Sequence, residues 1–328
     1  MDNGDTEVLT QAIDWLNHGH QVELITVART WGSSPRPPGS LAAVREDGHL
    51  VGSVSGGCIE KQLAIRIDSN DRSTSFAHEI STDEARKFGL PCGGQLELVF
   101  EALSDSKELE HILDLVSQRK RIARTITLDT AESTLTEVDR LTDFHFDGRQ
   151  LRKVFGPGWR MLLIGGGQLS RYVARFAQAL DYEIVVCEPR EEFASTWNVA
   201  NCTVTDLLPD EAVLKYATDQ HSVVLALTHD PNLDDSALIE ALPSSAFFVG
   251  ALGSQANNDR RRKRLIGIGV EEHDANRMHG PVGLPIGSRS AAEIAVSIVA
   301  ELVKQRNAGD SVNRSSQRTA ETANHDPG

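Results

Sequence analysis

The stretch RMLLIGGGQLSRYVARFAQAL, residues 160–180, constrains this chain more than any other. An apolar run ends on Gly165-Gly166-Gly167, and an amphipathic helical pattern begins at once. Strand, glycine turn and helix in that order open a βαβ unit, whose second strand lies parallel to the first. The turn reads G-x-G-x-x-S. Its first glycine, Gly165, makes the tight turn, and its second, Gly167, lets backbone N–H groups approach a phosphate at the helix N-terminus. Ser170 replaces the usual third glycine and is still small enough for close packing. Glu188 follows 21 residues after Gly167, at the end of the next apolar run, where an acid can bind a ribose hydroxyl.

The same alternation continues. YEIVVCE, HSVVLALT and AFFVGALG read as strands with helix-like segments between them, and AAEIAVSIVAELVKQ reads as a closing amphipathic helix. Alternating strands and helices predict a doubly wound parallel sheet of the Rossmann type over residues 156–306. Residues just past strand ends face the ligand crevice in such sheets, so Gln168 and the polar triplet Thr228-His229-Asp230 are site candidates; Asp230 would equally serve as a helix cap. The run RRRKR, Arg260–Arg264, cannot face one way on a helix, so most of it is expected in solvent.

The first half has a different pattern. Thr6–Asn17 carries Val8, Leu9, Ala12, Ile13 and Leu16 on one helical face, VELITVA reads as a strand, and LAAVRED and HLVGSVS flank the turn Asp47-Gly48. Between them, the prolines and glycines of Arg29–Ser40 predict a loop. A helix is expected over Cys58–Ile67, a strand over Gln95–Glu101, a helix near Ser106–Arg119, a strand near Ile122–Leu128 and a further β segment near Thr142–Gly148. These make residues 1–155 an α+β domain that ends at a Gly/Pro linker, VFGPGWR. From Asn307 to Gly328 the chain holds one valine and no other large apolar residue, which predicts a disordered tail.

Composition excludes several classes. A net charge of −14 opposes nonspecific binding to nucleic acid or an anionic membrane surface. No apolar run approaches the ~20 residues of a membrane span, and the N-terminus is acidic and polar rather than a secretory signal, so a cytoplasmic location is expected. Four cysteines are too few for a disulfide framework and lack zinc-site spacing.

Two of those cysteines sit beside glycine pairs, in Gly56-Gly57-Cys58 and Cys92-Gly93-Gly94. Cys58 opens an expected helix, and a helix N-terminus favours a thiolate. The glycines leave the sulfur accessible, and such a thiolate can attack a substrate, carry a persulfide or touch a soft metal. The bland alternative is a pair of small residues in tight turns. Cys187, in mid-strand, reads as core.

Taken together, VARTWGSSPRPPGS, VGSVSGGCIE and PCGGQLELVFE in the first half resemble the XdhC/CoxI family of molybdenum-hydroxylase maturation factors. LLIGGGQLSRYVARFA, CEPREEFA, LTHDPNLD, VGALGSQANNDRRRKRL and GPVGLPIGSRSAAEIAVSIVAEL extend the resemblance, in family order, to nearly the whole chain before the tail. Two positions depart from the pattern: the family often has histidine where Gln168 stands and aspartate where Glu188 stands. The resemblance implies a protein that binds the molybdenum cofactor, as molybdopterin or its cytidine dinucleotide, while an oxo ligand is exchanged for sulfide. It also implies two partners, a cysteine desulfurase and an apo molybdenum hydroxylase. Under it, Arg29, Ser34 and Arg36 would hold anionic parts of the cofactor. Cys58 and Cys92, with Gly56 and Gly57, would face the metal or sulfur end, and Gly165, Gly167 and Glu188 a phosphate or nucleotide portion. A homodimer is expected from the apolar helix Ala291–Val303, unless that helix simply packs on the sheet. The rival readings are an NAD(P)-dependent oxidoreductase, for which no Tyr-x-x-x-Lys pair stands out, and a non-catalytic scaffold. Whether the protein turns anything over stays open.

One outcome follows from the cysteines. A thiol-alkylating reagent at neutral pH should modify Cys58 well before Cys187, as read by mass spectrometry of timed samples; equal rates would reduce Cys58 to a turn residue.

Overall fold

The computed structural model describes residues 3–31, 36–55, 76–80, 95–138, 144–228 and 230–323. The chain divides into two compact units, Met1–Pro157 and Gly158–Gly328.

The first unit is antiparallel. Strands β1 (Val22–Trp31), β2 (Leu41–Arg45), β3 (Leu50–Gly52), β4 (Phe76–Ile80) and β5 (Gln95–Leu103) form one sheet in the order β3-β2-β1-β5-β4. Strands β6 (Ile122–Thr127), β7 (Glu132–Glu137), β8 (His145–Phe146) and β9 (Gln150–Phe155) form a second, ordered β7-β6-β9-β8. Helices α1 (Asn3–Asn17) and α2 (Lys107–Ser117) share a core with both sheets. Val8, Leu9, Ala12 and Trp15 of α1 meet Leu109, Ile112 and Leu115 of α2, Val22, Leu24, Leu41 and Ala43 of the first sheet, and Ile122 and Phe155 of the second.

The sequence places a loop from Arg29 onward, yet β1 runs on to Trp31. After a register shift between Val27 and Arg29, Arg29, Thr30 and Trp31 pair with Glu97, Leu96 and Gln95 of β5. A partner 68 residues away supplies the ladder, which local propensity cannot reveal. The sequence pattern does not mark strands β4, β7 and β9 either. The segment expected as the helix Cys58–Ile67 lies outside the described residues.

A buried ion cluster pins the two sheets to α2. Arg124 of β6 donates from Nη1 to both oxygens of Glu101 on β5, at 2.9 and 3.1 Å, and from Nε to Glu108 of α2 at 3.1 Å. Ser133 of β7 donates to the other Glu108 oxygen at 2.6 Å. Burial pushes the Glu101 carboxyl above the usual carboxylate range in spite of the adjacent guanidinium.

The second unit is parallel. Strands β10 (Arg160–Ile164), β11 (Glu183–Cys187), β12 (Cys202–Thr205), β13 (Ser222–Ala226) and β14 (Phe248–Ala251) are ordered β12-β11-β10-β13-β14, and each neighbouring pair runs parallel. The period of two along these strands divides the core. Leu162, Ile164, Val185, Val224, Ala226 and Val249 face one layer, with residues of α5 (Pro209–Tyr216), α6 (Pro231–Ala241) and α7 (Gln255–Gly267). Met161, Leu163, Ile184, Val186, Val223, Leu225 and Phe248 face the other, with α3 (Gln168–Gln178) and α9 (Ala291–Ala323). Two short helices, α4 (Glu191–Ala194) and α8 (Glu272–Ala275), complete the described elements.

Helix α9 packs on α3. Ala295, Ile298 and Leu302 are fully buried in that core, while Val296 is 47% exposed. The apolar side of this helix is therefore covered within its own unit, and it gives no reason to require a second copy. The helix continues to Ala323, into the segment whose composition predicts disorder. No helix among the described residues is long and apolar enough to cross a membrane.

Replacing Arg124 by alanine should cost about 3–5 kcal/mol, because it leaves Glu101 and Glu108 together without their cation. The urea midpoint measures this; a shift under half that size would mean water reaches the cluster.

Candidate ligand cleft of the parallel-sheet unit

In the order β12-β11-β10-β13-β14, the chain winds one way from β10 to β12 and the other way from β13 onward. Connections leave the carboxyl ends of β10 and β13 in opposite directions, and a crevice opens between them. A cleft of 700 Å³ occupies this place. Its walls are Gly165, Gly167, Gln168 and Leu169 after β10, Arg190 and Phe193 after β11, Leu227, Thr228, Asp230 and Pro231 after β13, Leu252 after β14, and Ala291 and Ile294 of α9.

The glycine turn has two different physical reasons. Gly165 has φ +103°, and a Cβ there would lie 2.7 Å from Thr228 Cγ2, so only glycine fits. Gly167 precedes α3 at φ −70°, which any residue adopts, and a Cβ on it would meet nothing within 4 Å. Packing does not demand glycine at 167; what its hydrogen leaves is space in front of the helix N-terminus. Three residues on, the buried Ser170 hydroxyl has no hydrogen-bond partner among the described residues.

Glu188 sits at the carboxyl end of β11, as its spacing suggests, but its carboxylate is bonded inward. Oε2 accepts the Gly166 N–H at 2.8 Å and Arg190 Nη2 at 2.8 Å. Oε1 accepts Arg190 Nε at 2.7 Å and the Arg190 N–H at 3.1 Å. The residue is 1% exposed. Burial pushes the carboxyl up, but the Arg190 guanidinium and the two backbone N–H groups outweigh it and hold the carboxyl below the usual glutamate value.

On the β13 side, Thr228 donates its N–H and hydroxyl to the buried Asp234, at 3.2 and 2.7 Å. Asp234 in turn takes Arg261 Nη2 at 2.8 Å, and Arg261 Nη1 reaches the Leu252 carbonyl at 2.9 Å. Burial raises the Asp234 carboxyl against the pull of Thr228 and Arg261. Arg262 bonds the carbonyls of Met278 and Gly280, and Arg264 pairs with Asp235. Arg260, Lys263 and Arg264 are exposed, as the sequence leads one to expect for most of the run, while the buried Arg261 and half-buried Arg262 tie α7 to α6 and to backbone carbonyls past β14.

Of the residues singled out in the sequence, the cleft brings together Gly165, Gly167, Gln168 and Asp230, with Glu188 behind Arg190. Asp230 caps α6, accepting the Asn232 N–H at 2.9 Å. Arg29 and Arg36 belong to the first unit. Arg29 pairs with Glu97 at 3.1 Å, donates to the Phe146 carbonyl and lies over the Phe146 ring; Arg36 Nε donates to the Ser53 carbonyl at 3.1 Å. Ser34, Gly56, Gly57, Cys58, Cys92 and His229 lie outside the described residues. Cys187 is core, its thiol pushed up to about 12 chiefly by burial. Among the described residues no group of three or more His, Cys, Asp or Glu is placed to hold a metal ion.

Sequence reasoning missed Arg190 and Phe193. The signal was present as an arginine two residues beyond the strand-end acid, but only the fold shows that Glu188 is spent on it.

The comparisons with known proteins agree with this architecture. The model of the XdhC Rossmann domain matches residues 161–302, and that of the XdhC and CoxI family matches residues 15–67, together more than half of the chain. The chain belongs to the XdhC and CoxI family. This XdhC-type chain is similar to the molybdenum cofactor insertion chaperone PaoD of Escherichia coli strain K12, 26% identical over 91% of this chain and 88% of the relative. A Bacillus subtilis strain 168 protein described as a probable xanthine dehydrogenase subunit is 24% identical over 89% and 95%. A solved protein described as a xanthine dehydrogenase from Bacillus halodurans shares the fold, with a TM-score of 0.73 at 20% identity over 92% and 96% of the two chains.

The held carboxylate has a pH consequence. A group whose folded value is depressed stabilises fully above its ordinary value, here 4.5, and loses that contribution as the pH falls through the lower folded value. Glu188→Gln should therefore lose less unfolding free energy than the wild type between about pH 5 and about pH 3. Urea unfolding at the two pH values measures this, and equal losses would contradict a carboxylate held in its charged form.

Proposed function

We propose that this chain binds the molybdenum cofactor as cargo, protects it, helps its sulfuration and inserts it into a xanthine- or aldehyde-dehydrogenase-type molybdenum hydroxylase. The observation that carries the proposal is the end-to-end similarity to a molybdenum cofactor insertion chaperone, over 91% of this chain and 88% of that one. The cleft supports it physically. Its 700 Å³ lies within the roughly 300–1,000 Å³ of small-ligand sites, and the open side of Gly167 suits the close approach of a phosphate to α3.

In this reading the phosphate-bearing end of a molybdopterin, or of its cytidine dinucleotide, takes the cleft between Gly165, Gly167, Gln168 and Asp230. His229 is assigned to the same cargo. In the first unit Arg29, Ser34 and Arg36 serve anionic parts of the cargo, with the charge of Arg29 shared with Glu97. Cys58 and Cys92, each next to a glycine pair in the sequence, are assigned to the molybdenum or to the arriving sulfur. A cysteine desulfurase supplies that sulfur, and the client is an apo molybdenum hydroxylase. The setting is cytoplasmic.

The test is purification of the full chain from cells that make the cofactor, as wild type and as Gly167→Val. Molybdenum and pterin are expected with the wild type. The variant should lose them with only a modest fall in melting temperature, because the added side chain enters open space and leaves the core intact. A nicotinamide nucleotide in place of pterin would make the protein an oxidoreductase, and a chain free of small molecules would make it a scaffold.

A further inference from the structure

We propose that the cleft of the second unit recognises a phosphate ester rather than a ribose diol, and that Arg190, held by Glu188, is the residue that reads it. The proposal deepens the cargo-binding reading by naming the group gripped at this end, and it can be tested without molybdenum.

Hydrogen-bonding capacity separates the two ligand groups. A carboxylate offers about four acceptor sites on its two oxygens. Glu188 has four donors at 2.7–3.1 Å: the Gly166 N–H, the Arg190 N–H, Arg190 Nε and Arg190 Nη2. Nothing remains to accept the two hydroxyls of a ribose, the usual task of an acid at this position. The guanidinium is in the opposite condition. It carries five N–H donors; two are spent on Glu188, and no other acceptor for it is found among the described residues.

Arg190 lines the cleft, with the Phe193 ring 4.3 Å from its Cζ. The glycine turn borders the same cleft, with the open side of Gly167 and the unpartnered, buried hydroxyl of Ser170 close along the chain. Asp230 also lines the cleft and adds negative charge, but its carboxylate already caps α6. Arg190 and the glycine turn thus form a donor side of the cleft, while Asp230 keeps acceptor capacity on the β13 side. A guanidinium with N–H groups to spare matches the oxygens of a phosphate in geometry and charge. Two ligands supply that group: a molybdopterin through its phosphate monoester, and a nicotinamide dinucleotide phosphate through its extra phosphate.

The experiment titrates the purified full-length chain with inorganic phosphate, followed by 31P line broadening, in the wild type, Arg190→Gln and Glu188→Gln. The wild type should bind saturably. Arg190→Gln should weaken binding roughly tenfold or more by removing a charge-assisted donor pair. Glu188→Gln should tighten it several-fold, because the amide oxygen can still take the Gly166 N–H while the cleft loses a negative charge. Opposite signs separate recognition from a structural latch, which both substitutions would weaken alike. If Arg190→Gln fails to fold, Arg190→Lys replaces it, with the same direction expected because the fork is lost.

Displacement then separates a phosphate monoester from a ribose diol, and the molybdenum carried from cofactor-making cells reads which source supplies it. Either molybdopterin or NADP+ should release bound phosphate, and NAD+ should not. Absence of saturable binding, weakening by Glu188→Gln, or displacement by NAD+ as strong as by NADP+ would overturn the proposal. Saturable phosphate binding in a protein that carries no molybdenum from cofactor-making cells would sink the chaperone reading and leave this one standing.

Discussion

The second unit depends on one placement: β10 lies between β11 and β13, bonded along its length to both. A strand so placed exposes neither edge nor face to water along its centre, so past Arg160 at its start its residues must be apolar, as Met161, Leu162, Leu163 and Ile164 are. It also sets where chemistry can happen. The connections on its two sides diverge, and the polar groups that follow β10, β11 and β13 meet at one end of the sheet. Apart from Ala291 and Ile294 of α9, the residues that line the cleft follow the last residue of a buried strand within a few positions. The strands that deliver these residues are close-packed in the core and rigid.

That rigidity is reinforced by ion pairs at the rim. Asp234 and Arg261 are both buried, and between them they bond Thr228 and the Leu252 carbonyl, just past β13 and β14. Glu188 does the same for β10 and β11 by joining the Gly166 N–H to Arg190. Buried pairs of this kind add little net stability over apolar packing, because the desolvation of both charges offsets their attraction. They do define geometry, since each charge accepts only a few arrangements of donors. The cleft is thus framed by two carboxylates that are used up within the protein, and this gives its open wall the character of a donor.

The first unit solves a similar problem differently. Its antiparallel sheets meet around α1, α2 and the cluster Glu101, Arg124, Glu108 and Ser133. Two carboxylates around one guanidinium leave an excess of negative charge inside, which burial answers by raising the Glu101 carboxyl. A cluster so shielded is a structural joint between β5, β6, β7 and α2, and the groups assigned to cargo, Arg29 and Arg36, lie apart from it on loops and strand ends.

Much of the parallel half was legible in the sequence. The apolar runs, the glycine turn and the amphipathic helix after it each depend on neighbours in the chain, so their periodicity alone fixes element type. The position of Glu188 at a strand end and of Thr228 and Asp230 at the crevice follows from the same local pattern. Strands β4, β7, β9 and β12, and the extension of β1 to Trp31, were not legible, because each exists through a partner supplied from elsewhere in the chain. The role of Glu188 turned on the same distinction. Its spacing marked it as an acid near a ligand, whereas the fold alone put Arg190 and the Gly166 N–H against both of its oxygens and filled them. Sequence determined which residue types reach the end of the sheet; tertiary structure decided which of them still have hydrogen bonds to give, because that depends on distances between atoms that no local pattern carries.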